Sequence, residues 1–346
     1  EGGGKLACIL AREMGADLAC GFKAAAHPYF ADLFRGPVLQ LTRRARLPLL
    51  RQSAVAWAFL HRSRLFCRYD TAVFSGSYAP LAVLKGGARR NLYYCHTPPR
   101  FLYDRRRHFQ STVPPTLRPF FALFNHWYRP RYQAAFARMD RIATNSQNVR
   151  RRILRYLGRD AVVVYPPCDT RRFHYLGQEG FYLSAGRLDP LKRVDRIVSA
   201  FSRLPEKRLV VVSGGPEEGR IRRMASALPN VTVLGPVSES RLVRLMGTCI
   251  AVLYIPEEED FGMVPVEAMA AGKPVIGVRE GGVPESVIDG RTGTLLDPDP
   301  DVEAVAGAVE AMTAEVARSF RAACEARALE FDTAVFVERM RRLMGG

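Results

Sequence analysis

The stretch EDFGMVPVEAMAAGKPVIG, residues 259–277, decides how the rest of the chain is read. The run AVLYIP before it, ending at Pro256, is apolar and rich in β formers, which suits a strand buried on both faces. An acidic loop and Phe261-Gly262 follow, and the sequence predicts a helix from near Pro265. Proline is tolerated at a first helical position, where its missing N–H would have no partner, and EAMAA supplies strong helix formers. Gly272 ends that helix and PVIGV resumes a strand. The loop of such a unit lies at the C-terminal end of a strand, where open parallel sheets bind ligands.

Glu259 and Glu267 flank this loop-to-helix junction with seven residues between them. Free N–H groups at the helix start attract a phosphate, whereas Glu267 in the first turn can accept hydrogen bonds from vicinal hydroxyls such as those of a ribose. A first-turn carboxylate also favours the helix dipole with no ligand present, and Glu257 to Asp260 also read as a solvated acidic loop. Spacing alone leaves these readings open.

The motif resembles the signature of retaining glycosyltransferases of family 4, and the resemblance extends over nearly all of the chain. SAGRLDPLKRVDRIVSAF at 184–201 is similar to the family's donor-phosphate segment, with Arg187 and Lys192 at its basic positions. VVVSGGPEEG from residue 211, VTVLGPVS at 231–238 and EGGVPESVIDGRTGTLLDP from residue 280 follow in the family's order. The resemblance implies an α/β fold of two Rossmann-like, doubly wound domains facing a cleft, the GT-B class. It also implies that Glu267 holds the nucleotide ribose and that Glu259 lies near the transferred sugar. Backbone N–H groups of Phe261, Gly262, Met263 and Val264 would face the sugar and phosphates. Arg187 and Lys192 would neutralise the diphosphate as the glycosidic bond breaks. No cofactor beyond the nucleotide-sugar donor is implied, and no metal, because the six His, seven Cys and scattered carboxylates show no zinc-type spacing.

A chain of 346 residues with 48% apolar content exceeds one hydrophobic core and can fill two. The domains are expected at 1–175 and 176–330, joined near Tyr175 to Gly180, with a helix over 331–346 crossing back onto the first. Residues 1–175 hold 30 Lys+Arg against 9 Asp+Glu, and the remainder 21 against 25. All the positive excess therefore lies in the first half, which suggests that this half meets something anionic. A phospholipid surface, a pyrophosphate-linked acceptor and nucleic acid all fit that charge. LTRRARLPLLRQSAVAWAFLHRSRLF at 41–66 reads either as an interfacial helix or as a domain helix with a buried stripe, and its apolar run is far short of the ~20 residues that span a bilayer. The dispersed cysteines read as reduced core thiols.

In the first half, NLYYCHTPPRFLYD and RIATNSQNVRRRILRYLGRDAVVVYPPCDTRRF resemble a bacterial branch that builds surface polysaccharides, several of whose members transfer mannose from GDP-mannose. Here His96, at the end of a strand, would hydrogen-bond the transferred sugar. Arg100 and Tyr103, with Arg105 to Arg107 beyond them, read either as a solvated loop or as contacts to an acceptor diphosphate. The chain opens on EGGGK, and the resemblance implies a Gly-rich loop there, with Gly3 and Gly4 near the donor and the family's first strand missing. The expected partners are thus a nucleotide-sugar donor, a polyprenyl-diphosphate-linked saccharide acceptor and an anionic membrane surface, at the cytoplasmic face of a plasma membrane and without nucleic acid. A UDP-sugar donor is the alternative within the fold; a basic nucleic-acid-binding protein is the alternative outside it.

Overall fold

The computed structural model describes residues 2–23, 34–45 and 47–345. The chain divides into two compact units, residues 1–165 with 337–346, and residues 166–336. The division falls ten residues before the expected Tyr175–Gly180 joint, because the segment after Tyr165 is tied into the second unit. Cys168 N–H donates to the Phe331 carbonyl at 2.9 Å and Leu176 N–H to Gly247 at 2.9 Å. The fully buried Lys273 donates to the Gly177 carbonyl and lies 4.0 Å from the centre of the Tyr175 ring, which Arg321 also covers at 4.2 Å.

The second unit is built on a six-stranded parallel sheet. Its strands are Phe181–Ser184, Arg208–Val212, Val231–Gly235, Val252–Leu253, Val275–Val278 and Gly293–Leu296. In space they run sixth, fifth, fourth, first, second, third, the order of a doubly wound dinucleotide-binding sheet. Their apolar runs follow from that arrangement: Val252 and Leu253, with a strand on each side, are fully buried. Strand order reverses between Phe181–Ser184 and Val252–Leu253, and the C-terminal ends of strands at such a switch point are where open parallel sheets bind ligands.

The first unit carries a four-stranded parallel sheet of Thr71–Ser75, Arg90–Cys95, Arg141–Thr144 and Val162–Val163, in that order. Leu18–Cys20 and Val38–Gln40 pair in a separate parallel sheet. The unit's core is aromatic, with Tyr93, Tyr94, Tyr128 and Tyr132 fully buried. A buried phenol needs a partner, and each finds one: Tyr94 donates to the Val164 carbonyl at 2.7 Å, Tyr128 to Ser77, and the Tyr93 and Tyr132 hydroxyls meet at 3.3 Å.

Two local expectations are corrected and one alternative is decided. Gly2, Gly3 and Gly4 open an α-helix, Gly2–Met14, instead of a loop. The stretch 41–66, whose Arg46 lies outside the described residues, folds as a domain helix, Pro48–His61, burying Val55, Ala56, Ala58, Phe59 and Leu60. Not every cysteine is in a core: Cys67 is exposed. The last helix, Thr333–Gly345, starts in the second unit, and from Val337 onward it belongs to the first. There Arg90 donates to the Met344 carbonyl and Arg341 to that of Glu13. No helix among the described residues is long and apolar enough to cross a membrane.

Candidate active site

At the switch point of the second sheet, the loops after the two central strands bring Lys192 and Glu259 together. After Phe181–Ser184 the chain makes a single 3-10 turn, Pro190–Lys192, capped by the Asp189 carboxylate accepting from Leu191 N–H at 3.1 Å. This turn fixes Lys192. After Val252–Leu253 the loop returns alongside it, with Glu257 N–H donating to the Leu191 carbonyl at 2.7 Å. Glu259 thereby meets Lys192 in an ion pair, and the Tyr254 hydroxyl donates to the same carboxylate at 2.7 Å while lying 3.3 Å from the Lys192 ammonium. Burial alone would raise the Glu259 carboxyl. The Lys192 charge and the hydrogen bonds from Lys192, Tyr254 and the Asp260 N–H outweigh it and hold the group below its ordinary value. Burial, with the Glu259 charge, pushes the Tyr254 phenol well up, so it remains a donor.

The loop is braced from behind by residues that sequence reading missed. Arg193, itself buried, pairs with Glu280 at 3.0 Å, and the other Glu280 oxygen accepts from Glu258 N–H at 2.8 Å. Gly281, at φ +62°, lies so close that a Cβ there would come within 2.6 Å of the Glu259 backbone nitrogen. The only sequence signal for this bracket is the Lys-Arg pair at 192–193 and EGG from residue 280. Tyr254 gave none, since it ends an apolar run as a core tyrosine would.

Gly262 turns the chain at φ +86° into the helix Met263–Ala270, which begins two residues before the expected Pro265. The first-turn N–H groups of Met263 and Val264 have no partner within the helix. Phe261 is buried against Phe331, with ring centres 5.6 Å apart. Glu267, half-buried in the helix, is close enough for its charge to act on Tyr254 and on Arg172. Arg187 is exposed, and its guanidinium makes no ion pair with a described residue. The neighbouring Gly186 lies against the Tyr254 ring, where an added Cβ would sit at 3.5 Å. Lys192, Glu259, Gly262 and the helix start are thus one cluster, with Arg187 at its rim. Among the described residues no group of His, Cys, Asp and Glu could hold a metal ion.

In the first unit His96 follows the strand Arg90–Cys95 and its Nε2 lies 2.9 Å from the Ser75 hydroxyl. Gly3 packs on the same ring, where a Cβ would approach Nε2 to 3.1 Å. Burial pushes the His96 pKa down to about 4, which keeps the imidazole neutral. Ser75 is a further residue the sequence did not single out. The Arg100 guanidinium is committed to Asp104 at 2.8 Å, and Tyr103 stacks on Tyr156 with ring centres 5.0 Å apart. Both residues expected at the acceptor therefore have partners inside their own unit.

The family described as glycosyl transferases group 1 matches residues 171–329. This segment is a glycosyltransferase group 1 domain. The mouse alpha-1,3/1,6-mannosyltransferase ALG2 is 29% identical over 269 residues, 67% of this chain and 62% of ALG2. The D-inositol 3-phosphate glycosyltransferase of Mycobacterium tuberculosis is 33% identical over 181 residues, 45% of this chain and 38% of that protein. The matches thus span about three-fifths and two-fifths of these relatives' own lengths. Anabaena HepE, crystallised with UDP and glucose, superposes on 100% of this chain and 97% of its own, with a TM-score of 0.76 at 19% identity. Sucrose-phosphate synthase from Thermosynechococcus elongatus covers 98% of this chain and 90% of its own, with a TM-score of 0.75 at 18% identity. At such identities the likeness concerns the fold, which is GT-B. The glycosyltransferase domain contains the whole Lys192, Tyr254 and Glu259 cluster.

Proposed function

We propose that this protein is a retaining, metal-independent hexosyltransferase of family 4 that uses a nucleotide-sugar donor. The observation that carries the reading is the Lys192 and Glu259 pair at the switch point, with exposed Arg187 and a helix start beside it. In the reaction the bond from the sugar C1 to the diphosphate oxygen breaks and its electron pair leaves on the diphosphate. Arg187 and Lys192 stabilise that developing charge and take the part a metal ion plays elsewhere. The acceptor hydroxyl attacks C1 on the face the diphosphate leaves, and a donor phosphate oxygen takes its proton. Glu267 accepts from the ribose hydroxyls, and the N–H groups of Met263 and Val264 face the phosphates. Glu259, already ion-paired, orients the sugar and the lysine, and it is not a nucleophile of the kind glycoside hydrolases use. His96, neutral and bonded to Ser75, is assigned to a sugar hydroxyl.

The donor we assign is GDP-mannose, a choice supported by the mannosyltransferase among the relatives. A UDP-sugar is the second reading, favoured by the fold neighbour crystallised with UDP and glucose. The acceptor we assign is a polyprenyl-diphosphate-linked saccharide at the cytoplasmic face of a bacterial plasma membrane, in surface-polysaccharide synthesis. The arginine-rich first half supports it. The test is turnover of GDP-mannose and UDP-glucose with such an acceptor, followed by proton NMR of the product. An α-linked product from an α-linked donor is expected; a β-linked product would rule out the same-face reaction.

A further inference from the structure

Between residues 105 and 139 the chain carries seven arginines and neither Asp nor Glu. The segment holds the helix Arg106–Thr112, a 3-10 turn at Pro115–Leu117 and the helix Arg118–Ala137. Neither of the first two buries a residue. The long helix buries Phe121, Phe124, Tyr128 and Tyr132 in the core, so its structural need for apolar side chains is met on that face. Yet Phe120 and Leu123, three apart and outside that stripe, are 61% and 67% exposed, the two most exposed large apolar residues described. Phe109 and Leu117 are exposed as well. Four exposed apolar side chains within fifteen residues go beyond the scattered singles of an ordinary surface.

The segment is nevertheless held in place. Phe109 packs on Phe101 with ring centres 6.2 Å apart, and Phe101 in turn packs on Phe121 and Tyr128. Arg106 and Arg107 are exposed, and their guanidinium groups make no ion pair with a described residue. Arginines free to meet phosphates, interleaved with apolar side chains that water does not favour, match the boundary between headgroups and acyl chains of an anionic bilayer. Single-stranded nucleic acid would use the charge and would stack on aromatic faces, but it gives no role to Leu117 and Leu123.

We propose that residues 106–123 are the surface by which this protein sits on an anionic bilayer. Phe109, Leu117, Phe120 and Leu123 enter the interface, while Arg106, Arg107 and Arg118 contact lipid phosphates. The proposal rests on the reading of a lipid-linked acceptor and gives that reading a surface. The test is co-sedimentation of the full chain with vesicles of phosphatidylcholine alone and with one-third phosphatidylglycerol. It compares the natural sequence, Phe120→Asp with Leu123→Asp, and Arg106→Ala with Arg107→Ala. The natural chain is expected to bind the anionic vesicles, and each double variant to bind them at least tenfold more weakly, with the melting midpoint unchanged. Equal binding by the natural chain and the apolar double variant would overturn the proposal. So would tighter binding to single-stranded RNA than to vesicles, or a dimer that the apolar variant splits without losing vesicle binding. Thermal shifts with nucleoside diphosphates, recorded on the same samples, keep the two readings apart. Vesicle binding without a nucleotide shift sinks the donor site and leaves the membrane surface standing.

Discussion

At the candidate site of the second unit Lys192 and Glu259 are paired with each other and Arg187 stays at the rim, whereas residues 106–123 of the first unit leave Arg106, Arg107 and several apolar side chains facing outward. At the switch point Lys192, Tyr254 and Glu259 satisfy each other, and Arg193 with Glu280 braces the loop that carries them. In the first unit Arg106, Arg107, Phe120 and Leu123 face outward on helices held by an aromatic core. In the proposed roles this contrast follows from the partners: a site for a small anionic leaving group is preorganised so that its charges need not reorganise during the reaction. A surface for a large, fluid partner needs only net charge and exposed apolar area.

The largest effect that would test this contrast is on turnover. Lys192→Ala removes the cation assigned to the leaving group together with its ion pair to Glu259. Transfer is expected to fall about 10²–10³-fold, the range for losing one charge-stabilising donor. Unchanged turnover would remove Lys192 from the mechanism. Gly281→Ala comes next, as a test of the bracket. The added Cβ would meet the Glu259 backbone in a left-handed conformation, which is expected to lower stability by about 1–3 kcal/mol in urea unfolding.

In the first unit, His96 makes a pH prediction. Its folded pKa of about 4 lies below the ordinary 6.5, so on acidification the unfolded chain takes up the proton first. That part of the stability is present above pH 6.5 and is lost as the pH falls through this window toward 4. His96→Gln is expected to flatten the acid side of the melting curve there; an unaltered slope would place the ring in water. The smallest effect is that of Tyr254→Phe, which removes one neutral donor to Glu259 and is expected to cost about 1 kcal/mol, roughly a fivefold loss in donor affinity by calorimetry.

Legibility in the sequence follows the same division. The second unit's strands are short apolar runs between glycines and acidic loops, and its two charged loops carry motif residues, so the fold and the placing of Lys192, Glu259 and Glu267 at the ends of its strands were readable. What could not be read was the support. Tyr254, Arg193 and Glu280 look like a core tyrosine and two surface charges until the loops they join are folded together. In the first unit the strands were readable as apolar runs, but the helix over Gly2–Met14 was not. Three successive glycines argue against a helix start on propensity alone, and the apolar residues beyond them, Leu6, Ile9 and Leu10, outweigh that by burial. The partners of Arg100 and Tyr103, Asp104 and Tyr156, were likewise not legible before the chain is folded.

The most direct test of the account is the thermal shift of the purified chain with GDP, UDP and ADP, each compared with Glu267→Ala. Ligand that binds the folded state raises its apparent stability. A rise with a nucleoside diphosphate, GDP first, that disappears in Glu267→Ala is expected. A rise that survives the substitution would contradict the ribose assignment, and no rise with any of the three would contradict the donor site itself.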